Sequence, residues 1–127
     1  MRRTVDSART GVKVVCPIHN TPLVRSSTRY GDRFDCPVKK CDVMCWDGDT
    51  STPADQKTRD ARHLTHERFD PLWKTKGFKR GWLYRNLAKW LGLPQKETHI
   101  GMFTIEQCRE AYRFCIAVEK GEIKPDA

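Results

Sequence analysis

The sequence predicts an α+β fold: short antiparallel strands over residues 1–50, packed with a three-helix region over 51–127. Three observations predict it. Four of the six cysteines fall before residue 50, and two of them stand directly before proline, as Cys16-Pro17 and Cys36-Pro37. Short runs rich in Val, Tyr, Phe and Trp lie between and after these turns, as strands require. From about residue 53 onward the apolar residues instead recur at helical spacing. The turn-forming stretch DGDTSTPAD (47–55) joins the two parts, which are read together as one compact unit.

In the first part, VKVVC leads into the first Cys-Pro turn. PLVRSSTRY alternates loosely and meets Gly31-Asp32, a hairpin signal, before RFDC; VMCW (43–46) reads as a third strand. Strands this short do not hold themselves together and need a staple. In the second part, a first helix is expected over 53–70, with Thr52 as N-cap and Pro53 at the first helical position. Ala61, Leu64 and Phe69 form its apolar face, and Pro71 ends or kinks it. A second helix over 79–91 carries Leu83, Leu87, Trp90 and Leu91, and Gly92 with Pro94 stops it. A third begins at Thr104, where Gln107 completes a capping box. Ile105, Cys108, Tyr112, Cys115 and Ile116 are its expected buried face, and Gly121 its end.

The staple is legible in the ligand spacing. A structural zinc takes four N or S donors in a tetrahedron, commonly as two short-spaced pairs on tight turns. Cys16 and His19 are one such pair, and Cys36 and Cys41 a wider second, with a hairpin's length of chain between them. Pro17 and Pro37 stiffen both turns. Free cysteines also serve as small buried hydrophobes, which accounts for Cys108 and Cys115 on one helix face. It accounts poorly for Cys16, Cys36 and Cys41, because few large apolar residues surround them. The expected ligands of Zn²⁺ are therefore Cys16, His19, Cys36 and Cys41, with Cys45 as the alternative to His19.

Net charge is +8. It is concentrated in 68–89, where Arg68, Lys74, Lys76, Lys79, Arg80, Arg85 and Lys89 face only Asp70. A basic balance points to a polyanionic partner, nucleic acid first, and otherwise to solubility. FCIAV (114–118) is the longest apolar run, far short of a membrane span. MRRTVDSART has no apolar segment behind it and does not read as a signal peptide. A cytoplasmic location, in a bacterial host, and no membrane partner are expected, in keeping with reduced, metal-binding thiols.

Residues 16–41 resemble the zinc ribbons at the C-terminal end of bacterial type I topoisomerases, which share a Cys-Pro pair, a basic hairpin and a wider second pair. A longer resemblance, from Cys16 to Cys115, is to a phage and bacterial zinc-finger-containing domain family of unknown function. ADQKTRDARHLTHERFDPLW (54–73) and HIGMFTIEQC (99–108) carry it. The family usually shows two Cys-Pro-x-Cys knuckles; here His19 replaces one cysteine and the second pair is wider. The resemblance implies a zinc-bearing domain and leaves its activity open.

Three functions follow from the residues. The first is nucleic-acid binding, single-stranded DNA favoured, because Arg25, Arg29, Tyr30, Arg33 and Phe34 interleave cations with rings on the hairpin. Lys39 and Lys40 add charge at the second knuckle, and Lys76, Lys79 and Arg80 a second phosphate-facing surface. Either Tyr30 or Phe34 is expected to stack on bases while the other packs inside. The second function is a phage factor that binds a host protein such as RNA polymerase, suggested by four tryptophans in a small chain. The third, an enzyme built on Arg59, Arg62, His66, Asp70 and His99, is disfavoured. No paired carboxylates, HExxH or phosphate-cradling glycine loop accompany them, and four filled ligands leave zinc no open position.

Overall fold

The computed structural model describes residues 14–124; MRRTVDSART and the start of VKVVC lie outside them. The chain divides into two compact units, Met1–Arg59 and Asp60–Ala127. Among the described residues no helix is long and apolar enough to cross a membrane.

The first unit is built on strands β1 (Val24–Thr28), β2 (Gly31–Asp35) and β3 (Met44–Trp46), antiparallel in the order β1-β2-β3. Thr28 pairs with Gly31, so Arg29 and Tyr30 form a two-residue turn. The Thr28 hydroxyl closes it by donating to the Gly31 carbonyl and accepting the Tyr30 N–H. Gly31 has φ +117°, a backbone that L side chains rarely adopt, so the hairpin signal marks the exit from the turn rather than its centre.

Register assigns the two faces, because directly opposed residues point the same way. Arg25, Phe34 and Cys45 share one face, and Ser26, Arg33 and Trp46 the other. Phe34 and Cys45 join Val14, Leu23 and Val43 in a small core that also holds Cys16 and Cys36. Beyond β3, Ala54 exchanges both backbone hydrogen bonds with Met44, each 3.0 Å, so part of the turn-rich stretch extends the sheet.

That pairing delays the first helix. Residues 53–54 are needed in extended form, so α1 runs Gln56–Lys74 rather than from Pro53. Its cap is Asp55, not Thr52: the Asp55 carboxylate accepts the Thr58 N–H at 3.0 Å, and the Thr58 side chain together with that N–H holds its pKa below the usual range. Pro71 does not end the helix, which continues to Lys74. Burial of Leu72 just past the proline outweighs the lost N–H donor.

In the second unit, α2 (Arg80–Leu91) and α3 (Ile105–Glu119) complete the helices, with 3-10 turns at Gln95–Glu97 and Ile100–Met102 between them. Phe69 and Leu72 of α1, Leu83 and Leu87 of α2, Ile100, Phe103 and the inner face of α3 form one core. Gly92 closes α2 in the left-handed conformation, as expected. Thr104 and Gln107 form the expected capping box, with bonds of 3.1 and 3.0 Å.

The buried face of α3 is not the expected one. Cys108 and Cys115 are inside, but with Ala111, Phe114 and Val118, while Tyr112 is exposed and Ile105 and Ile116 are half-buried. The face is rotated by about a quarter turn toward Phe114. Leu64 on α1, expected inside, is also exposed. Because the capping box closes α3 with two reciprocal bonds, Thr104→Ala is expected to cost about 0.5–2 kcal/mol by thermal denaturation.

Candidate metal centre

Each ligand pair sits on a closed turn. In the first, Cys16 N–H donates to the Thr21 carbonyl and Asn20 N–H to the Cys16 carbonyl, at 2.9 and 2.8 Å. In the second, Cys36 N–H reaches the Val43 carbonyl and Cys41 N–H the Val38 carbonyl, both at 3.0 Å. Among the described residues two non-glycines have positive φ, Asn20 and Lys40, and each stands beside a ligand. Left-handed backbone at such residues persists where the surroundings fix it, as at a ligand clamp.

The donor atoms of Cys16, His19, Cys36 and Cys41 all lie within 4.8 Å of one another. His19 Nδ1 is 3.7 Å from both Cys16 Sγ and Cys36 Sγ, and the Cys16 and Cys41 sulfurs are 3.8 Å apart. Zinc bonds of about 2.3 Å to sulfur and 2.0–2.1 Å to nitrogen give tetrahedral edges of about 3.5–3.8 Å. The three separations of 3.7–3.8 Å match those edges and the whole set lies within 4.8 Å, so the residues fit the ion. The site is half inside: Cys16 and Cys36 are buried, Cys41 partly so, and His19 exposed. Cys45, the alternative to His19, faces the core opposite Phe34 and lies outside the group.

Protonation follows the same geometry. Burial acts to raise Cys16, but the backbone N–H groups of His19 and Ile18 outweigh it and bring the thiol down to about 7. Burial pushes Cys36 up to about 11, reinforced by the Cys41 and Cys16 sulfurs. The three sulfurs stand in one small volume, where a bound divalent cation would favour their thiolate forms.

The hairpin residues separate sharply. Tyr30 is 78% exposed at the tip, with the Arg29 guanidinium 5.4 Å from its ring centre. Phe34 is fully buried and cannot stack on a base; its register places it on the core face. Arg25 donates to Asp32 at 2.7 Å and holds that carboxyl below the usual range, and Arg33 donates to Asp35 at 2.9 and 2.6 Å. Lys39 and Lys40 are exposed on the second turn. Trp46 was not legible as a surface ring. It is 37% exposed, with Arg33 5.6 Å from its ring centre; its register opposite Arg33, not its sequence context, reveals this.

In the helical unit, Lys74 and Arg80 lie 5.3 and 5.4 Å from the Trp73 ring centre, and Arg80 also 4.8 Å from that of Tyr84. Phe78 and Trp82 stack at 5.9 Å, both half-buried, and Lys79 is exposed. Lys76 is tied to Glu119 at 2.7 Å. The residues of the disfavoured catalytic grouping have structural partners. Arg59 donates to the Asp42 and Ala54 carbonyls, Arg62 to the Phe103 carbonyl, and His66 pairs with Asp70 at 3.3 Å. Asp70 also accepts from the Trp73 indole. His99 is half-buried at the start of the second 3-10 turn.

Two Cys-Pro turns that bring a Cys₃His set together over a small antiparallel sheet define a zinc-finger class of domain. The chain belongs to the zinc-finger-containing domain family, which matches residues 18–118. The match takes in three of the four grouped residues and begins just after Cys16. No curated protein and no solved structure matches the chain.

Proposed function

We propose that the chain is a zinc-binding, nucleic-acid-binding protein that takes single strands and performs no reaction on them. Zinc is the ion favoured by three thiolates and an imidazole gathered within 4.8 Å of one another, and with four protein donors it keeps no open position for a water. Its role is then to hold the hairpin in shape.

The observation that supports nucleic-acid binding best is the pair of exposed rings in the first unit, each with an arginine beside it: Tyr30 with Arg29, and Trp46 with Arg33. Flat rings stack on bases of any sequence, and the Arg29 guanidinium meets phosphates, while Arg33, doubly bonded to Asp35, lies against the Trp46 ring more than it supplies charge. Arg25 contributes less, because Asp32 neutralises it on the core face. Lys74, Lys79 and Arg80 form a second basic surface in the helical unit; Lys76 adds little while bound to Glu119.

The test is fluorescence anisotropy with a short labelled oligothymidine. Tyr30→Ala and Trp46→Ala are each expected to weaken binding by about 1–3 kcal/mol. Affinity should fall steeply with salt as counterions are released, and Lys79→Glu with Arg80→Glu should flatten that slope. Absence of binding at low salt, or both ring variants binding like the parent, would overturn the reading.

A further inference from the structure

The geometry points to a docking groove between α1 and α3 for an acidic amphipathic helix of a partner protein. Ala61, Leu64 and Arg68 line one wall, and Ile105, Arg109 and Tyr112 the other, around an open cavity of 530 Å³. Each wall is a stripe at helical spacing two turns long, about 10 Å. Grooves of this kind take the apolar side of a helix through anchors at i, i+3 or i+4, and i+7.

Two features argue that the groove is a binding surface and not surplus core. Leu64 is 60% exposed and Tyr112 46%, and both open into this one groove. Large apolar side chains gathered in one place mark an interaction site more often than ones scattered singly. Its floor is also dry in character, since the buried Thr65 hydroxyl turns back to the Ala61 carbonyl at 2.7 Å.

Charge fixes the chemistry of the occupant. Arg68 and Arg109 stand on opposite walls, and the one acidic lining residue, Glu67, is paired with His63. Arg68 gives one terminal nitrogen to Glu119 and lies 5.3 Å from the Tyr112 ring centre. Its Nε is buried without an acceptor among the described residues, but the side chain as a whole is 33% exposed and lines the groove. Among the described residues Arg109 makes a loose contact of 3.6 Å with Glu106 on the exposed surface. Two arginines over an apolar floor suit a helix with leucine-like anchors flanked by Asp or Glu. A nucleic acid would use the arginines but leave Leu64 and Ile105 without a partner.

The experiment uses the full chain as purified, ¹⁵N-labelled, titrated with a synthetic peptide of about 15 residues, long enough to form a helix. Leucines occupy the anchor positions and glutamates flank them; a control peptide carries lysines in place of the glutamates. The expected result is amide shifts clustered on 61–68 and 105–112, with the lysine peptide at least about tenfold weaker. Leu64→Ser, an exposed position where the fold should hold, should abolish the shifts, and Arg109→Glu should reverse the preference between peptides. No shifts, equal binding of the two peptides, displacement of the peptide by an oligonucleotide, or a concentration-dependent dimer that covers the groove would each overturn the proposal. Oligonucleotide displacement would move nucleic acid to this groove; the other outcomes leave binding through Tyr30 and Trp46 untouched.

Discussion

Removing the metal with a chelator is expected to unfold the first unit while the helices persist. That unit buries few large apolar side chains: Val14, Leu23, Phe34 and Val43 lie below 2% exposure, joined by cysteines. Its strands are five, five and three residues long, too short for independent stability. Structural zinc contributes about 10–16 kcal/mol in comparable small domains, more than so small a core supplies. Without the ion, Cys16, Cys36 and Cys41 would be left crowded, with Cys36 protonated at neutral pH because burial holds it near 11. Cys36→Ser should have the same effect as chelation, since it removes a buried ligand, and His19→Ala a milder one at an exposed position. The second unit has its own core and depends on no ligand atom. Circular dichroism should therefore retain most helical signal while the ¹⁵N spectrum of 14–54 collapses. Purified protein without zinc, or Cys36→Ser with zinc and hairpin intact, would refute this account.

The ligand set was readable because metal chemistry dictates spacing locally: a turn can present two donors only if few residues separate them, and proline after the first cysteine stiffens that turn. The capping box at Thr104 and the stop at Gly92 were legible for the same reason, each being decided within a few residues. What failed was long-range. Thr52 has the right side chain for a cap, but Ala54 is held by Met44, ten residues earlier, and moves the helix start to Asp55. The face of α3 turned on Ala111 and Phe114. Spacing alone admits Tyr112 just as well, and packing against α1 and α2 decides between them. Phe34 and Trp46 make the same point for a sheet. Only the register β1-β2-β3 shows that Phe34 faces the core and Trp46 the outside. The groove residues Leu64 and Tyr112 looked like core because an apolar stripe has the same period whether a neighbour from the same chain or from another covers it.

Phe114→Ala is expected to cost the helical unit about 3–5 kcal/mol, the usual range for deleting a buried aromatic ring. Phe114 is fully buried on α3 and meets the edge of Trp90 on α2, with ring centres 5.8 Å apart and planes at 68°. Edge-to-face pairs add about 0.5–1.5 kcal/mol beyond the area they bury. Trp90 is itself 41% exposed and held on its outer side by an indole hydrogen bond to Glu110, so it can tilt but not sink into the space left behind. The cavity should therefore collapse only in part, which places the loss toward the upper end of the range. For a unit of this size that is a large share of a total stability of about 0.05–0.15 kcal/mol per residue. The measurement is urea unfolding followed by helical circular dichroism, with metal content assayed on the same sample. Helices melting early while zinc stays bound is the expected pattern, because no residue of the metal group belongs to this core. A loss below about 1 kcal/mol would mean that the helices repack around the missing ring. Simultaneous loss of zinc would mean that the two cores do not unfold separately, and the chelation result would then have to be read as global unfolding too.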